Sequence, residues 1–126
     1  MPVALFNVNG AYHATIMPKL DKPPKAYAAF IRRFPAIGEA WQLVGAAGKD
    51  GPLDEKCARL VKLGISIGAM REGAVHAGVR KAIAVGASRA EIDQVVALAA
   101  GSIGFPAVVA VHSWVDECFA EKRRAR

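Results

Sequence analysis

The stretch Met70-Arg71-Glu72-Gly73-Ala74-Val75-His76-Ala77-Gly78-Val79-Arg80-Lys81-Ala82, followed by Val85-Gly86-Ala87-Ser88-Arg89-Ala90-Glu91-Ile92, decides the fold. Residues from Glu72 to about Val85 read as one helix, closed by Gly86, whose missing Cβ suits the left-handed residue that ends helices. Ser88 then opens the next helix. Its hydroxyl is placed to cap the first turn, and Glu91 three residues later completes a capping box before Ile92, Val95, Val96, Leu98 and Ala99.

Working outward, Gly48 to Pro52 is a polar turn, and Leu53-Asp54 starts a helix with Cys57, Leu60, Val61, Gly64, Ile65 and Ile67. Those apolar positions wrap most of its circumference, which predicts a central helix. Upstream, Tyr27, Phe30, Ile31 and Phe34 share helical spacing, and Pro35 closes that segment and opens another through Ile37, Trp41 and Leu43. Downstream, Gly104-Phe105-Pro106 breaks the chain, with Pro106 suited to a first helical turn. The last helix carries Val108, Val109, Val111, Trp114, Val115, Cys118 and Phe119. Residues 1–24, with Asn9-Gly10 and Pro18, Pro23 and Pro24, read as an irregular N-terminal arm. No hairpin signal, alternating strand or internal repeat is visible. The expectation is a single all-α domain over 1–126, of about six helices. Gly64, Gly68, Gly73 and Gly78 are expected at close helix crossings.

Composition narrows the function classes. The chain has 126 residues, 53% hydrophobic and 22% charged, with a formal net charge of +6. That balance argues against disorder and for a buried core, with some apolar surface between subunits of a homo-oligomer. No apolar run approaches the roughly 20 residues of a membrane span. The N-terminus lacks a signal-peptide pattern, so a cytoplasmic location is expected. Lys122-Arg123-Arg124-Ala125-Arg126 concentrates positive charge, but cations at a helix C-terminus complement its dipole, and no aromatic residues interleave with the run. Nucleic acid is not an expected partner. Cys57 and Cys118 have neither CxxC nor metal-site spacing and are expected as packed thiols. His13, His76 and His112 show no HxH or HxxxH spacing, so no metal is predicted, and no Gly-rich phosphate loop follows a strand, so no nucleotide cofactor is predicted.

Four short motifs, Gly51-Pro52-Leu53-Asp54, Arg71-Glu72-Gly73, Gly86-Ala87-Ser88-x-x-Glu91-Ile92 and Gly104-Phe105-Pro106-Ala107, resemble those of the carboxymuconolactone decarboxylase and alkylhydroperoxidase D (AhpD-like) superfamily. The resemblance covers roughly Gly51 to Phe119 and implies an AhpD-like helical fold. In the peroxidase branch a CxxC pair starts the motif helix, a His follows, and a Glu on the preceding helix assists proton transfer. Aligning the Gly86-Ala87 turn puts Arg71 and Ala74 at the two Cys positions, Gly78 at the His and Arg59 at the Glu. A dithiol peroxidase needs an attacking thiolate beside a resolving thiol, and this helix has no thiol. The decarboxylase branch lacks the CxxC and shows Arg-Glu there, as Arg71-Glu72 does.

Helix geometry divides the remaining candidates. Arg71, Ala74 and Gly78 share one face, whereas Glu72, His76 and Arg80 share another at i, i+4 spacing. On the second face Glu72 is placed to fix the tautomer of His76 and leave its other nitrogen as a general base; an ordinary ion-pair row is the plainer alternative. On the first, Arg59 and Arg71 are candidates for binding a small anion, or for pairing with carboxylates. His112 and Trp114 are possible lining residues of the same cavity. The expected function is acid–base handling of a small carboxylate or lactone by a decarboxylase-like lyase, with His76 as base, Glu72 as orienter and Arg71 as anion clamp. The alternatives are a non-catalytic, oligomeric ligand-binding protein (dimer, trimer or hexamer) and a peroxidase acting through Cys57 or Cys118.

Overall fold

The computed structural model describes residues 25–125, so the N-terminal arm and His13 lie outside the described residues. Six helices follow one another: α1 (Lys25–Arg33), α2 (Pro35–Gly48), α3 (Glu55–Gly68), α4 (Glu72–Ala84), α5 (Arg89–Ile103) and α6 (Phe105–Arg124). No strand occurs among the described residues, and no helix there is long and apolar enough to cross a membrane. The chain divides after Pro52 into two compact units.

In the first unit α1 and α2 form a hairpin at Phe34-Pro35. Gly38 is buried there, and a Cβ added to it would stand 2.9 Å from Ile31 Cγ2, so only glycine lets the helices approach this closely. The Phe30 and Phe34 rings meet at a tilt of 47° with centroids 5.0 Å apart.

The second unit is a ring of four helices in which α3 touches α4 and α5, and α6 touches the same two. Its core joins Leu63 and Ile67 of α3, Val75, Val79 and Ala82 of α4, Ile92 and Val96 of α5, and Val108, Val111, Val115 and Cys118 of α6. Each helix makes its main contacts with two others, so none is enclosed by the rest. This corrects the expectation for α3, of which only Leu63 and Ile67 are buried while Cys57, Val61 and Ile65 face outward.

Local chemistry sets the joints. Asp54 caps α3 by accepting from the Cys57 N–H at 2.8 Å. The α4–α5 turn is a Schellman motif: Ala87 N–H donates to the Ala82 carbonyl, Gly86 N–H donates to that of Ile83, and Gly86 has φ +96°. Ser88 and Glu91 then make the expected capping box. The α3–α4 turn uses the same motif, with Arg71 N–H on the Ser66 carbonyl and Met70 N–H on that of Ile67. Here the left-handed residue is Met70, at φ +54°. Of the four glycines expected at crossings, Gly78 is tight against Leu63 and Gly64 makes an ordinary contact with Val95, whereas Gly68 and Gly73 have open space.

Candidate functional site

His76 lies six residues beyond Met70, on the side of α4 that meets α6. Its Nε2 stands 3.8 Å from Glu72 Oε2, one turn back, and 3.5 Å from Glu117 Oε2 on α6. Neither distance is a hydrogen bond. Nε2 is sealed from solvent and has no hydrogen-bond partner among the described residues. The ring as a whole is 20% exposed, so its exposed part lies away from Nε2. His76 therefore stands at the α4–α6 contact, whereas Glu72 on the same row is 57% exposed. Glu117 was not legible in the sequence: it is 41 residues beyond His76 and becomes a neighbour only when α4 packs on α6.

Cys118 sits behind this cluster, its Sγ 3.9 Å from the His76 carbonyl. Burial pushes its thiol up to about 11. Cys57, expected to be packed, is exposed instead, on the outward side of α3.

Arg59 and Arg71, read as a pair able to bind an anion, attach to the backbone at different levels of α3. Arg71 N–H bonds the Ser66 carbonyl, seven residues beyond Arg59 and so about 10 Å farther along α3. Arg59 stands within electrostatic reach of Lys81, together with Lys62 and Arg80. The Lys81 amine is held below its usual value, first by burial and then by these three cations. Gly78 faces α3, where a Cβ would come 3.2 Å from Leu63 Cδ1. Any side chain at that position would press on the buried Leu63.

His112 does not join His76. It contacts Arg89 at 3.5 Å and Asp116 at 3.7 Å, in a cluster where Arg89 binds Asp116 at 2.6 Å and Asp93 at 3.0 Å and lies over the Phe119 ring. Trp114 packs against the core. A separate groove of about 510 Å³ runs between α3 and α5, lined by Cys57, Leu60, Val61, Val95, Leu98 and Ile103 among others.

A family model described as the carboxymuconolactone decarboxylase family matches residues 35–117. No curated protein and no solved structure matches the chain.

Proposed function

Because the chain belongs to the carboxymuconolactone decarboxylase family, we propose that it acts on a small carboxylate or lactone by acid–base chemistry, without a thiol redox centre. The observation that carries this reading is the setting of His76. A proton on Nε2 faces the carboxylates of Glu72 and Glu117, which favours that tautomer and leaves Nδ1 as the nitrogen that works. In proton transfer Nδ1 takes a proton from a carbon next to a carbonyl and gives it back. In decarboxylation no proton is removed first: the C–C bond to the carboxylate breaks, its electron pair forms the enolate as CO2 leaves, and the imidazolium, protonated beforehand from solvent, gives its proton to the enolate carbon. Arg71, exposed at the start of α4 and next to Glu72 in sequence, is the proposed receiver of the substrate carboxylate.

A thermal-shift comparison of small carboxylates, lactones and neutral analogues tests the reading, since ligands of the native state raise its apparent stability. Shifts confined to anions, and lost in Arg71→Ala, are expected. The absence of any shift would favour a non-catalytic family member, a reading supported by the replacements at Arg59, Arg71, Ala74 and Gly78. Peroxidase chemistry has weaker support, because the buried Cys118 thiol is held un-ionised and Cys57 has no partner thiol in its helix. The apolar α3–α5 groove supports a homo-oligomer in which a second copy covers it.

A further inference from the structure

Three potential donor atoms, one on each of Glu72, His76 and Glu117, converge so that all lie within 4.8 Å of one another. Glu72 and His76 are locked in relation by one turn of α4, and Glu117 is brought in by the packing of α6. Both His76–carboxylate distances are longer than a well-formed hydrogen bond. A tetrahedral ion at 2.0–2.1 Å from its ligands sets neighbouring donors about 3.4 Å apart. The His76–Glu117 separation of 3.5 Å is close to that edge, and the His76–Glu72 separation of 3.8 Å slightly exceeds it.

The second observation is Nε2 itself. With a bare lone pair, it is an acceptor turned toward two anionic acceptors and shut off from water. Three acceptors around one point are stabilised by a positive charge among them, either the proton Nε2 carries in the base-competent form or a bound cation. Both carboxylates are more than half exposed, at 57% and 55%, so each can swing inward to close edges that span no more than 4.8 Å. Two carboxylates and a neutral imidazole also balance a divalent charge. The imidazole nitrogen favours a first-row transition ion over Mg2+ or Ca2+, which prefer all-oxygen ligands.

We propose that Glu72, His76 and Glu117 form a binding site for a divalent transition-metal ion of the Zn2+ type, with His76 coordinating through Nε2. The site stands on this geometry alone and goes beyond the acid–base reading. It does carry a consequence for that reading: an imidazole that binds a metal through Nε2 holds its proton on Nδ1, so an occupied site has no free base. The metal-bound and base-competent forms exclude one another.

Isothermal titration of the untagged, full-length chain with Zn2+ tests the site without reference to turnover. The expected result is one ion per chain, with Mg2+ and Ca2+ at equal concentration failing to compete. His76→Ala should abolish the binding. Glu117→Gln, a conservative change at an exposed position, should weaken it at least tenfold while the circular dichroism of the fold is unchanged. A Cys57→Ser/Cys118→Ser variant should bind as the wild type does. Absence of Zn2+ binding to the wild-type chain, undiminished binding to Glu117→Gln, or loss of binding in His112→Ala in place of His76→Ala would overturn the assignment. Because none of these readouts requires catalysis, a failed metal site leaves the acid–base reading standing, and a failed activity assay leaves the metal site standing.

Discussion

At the scale of single residues, Met70 is the most informative position outside the His76 cluster. A left-handed conformation costs a residue with a Cβ roughly 1–2 kcal/mol, and glycine avoids it. Met70→Gly should therefore raise stability by about 1 kcal/mol, read as a higher denaturant midpoint, provided the half-exposed side chain contributes little packing. Gly78 gives the opposite expectation. Alanine gains roughly 1 kcal/mol of helix propensity, but its Cβ would press on Leu63, which is fully buried, and overpacking costs roughly 1–3 kcal/mol. Gly78→Ala should destabilise the protein by up to about 2 kcal/mol, whereas Gly73→Ala, with open space around it, should stabilise it. Sequence spacing put all four glycines in one class, since what a Cβ would meet depends on the opposing helix.

At the scale of elements, the joints were the most legible part of the chain because their chemistry is local. Gly86, Ser88 and Glu91 act within a few residues of one another, and the turn and capping box they predict are present. Ser88→Ala should cost about 1 kcal/mol, measured by chemical denaturation. The same joint has a pH dependence. Glu91 is held below the usual carboxylate range, first by the Ser88 N–H and then by Lys56, and Asp116 is held low by its bond to Arg89. A carboxylate whose folded pKa is depressed contributes stability above its unfolded value, and this is lost as pH falls through the folded one. Melting temperature should therefore hold steady near neutrality and fall below roughly pH 4, with Glu91→Gln and Asp116→Asn showing a shallower fall. The face of α3 was read less well. Its apolar residues run around the helix, but the ring of four helices covers only the side with Leu63 and Ile67.

At the scale of the whole molecule, the apolar residues left outside are the main clue to assembly. Val61, Ile65 and Leu98 are 47%, 68% and 70% exposed on α3 and α5, the two helices that form the groove. Light scattering during gel filtration should give a mass that is a multiple of 13.3 kDa, and Leu98→Glu should reduce it to the monomer. The helical order was legible across the described chain because period and punctuation are properties of the sequence. The candidate site was legible only in half, since Glu72 and His76 are neighbours along α4 but Glu117 meets them through tertiary packing. Turnover of a panel of small carboxylated lactones and β-keto acids, followed by NMR for CO2 loss and for proton exchange with deuterated solvent, tests the central claim most directly. The account predicts activity in the wild-type chain, retained when both cysteines are serine, and a loss of about 10²–10⁴-fold in metal-free His76→Ala. Full activity in that variant would contradict it.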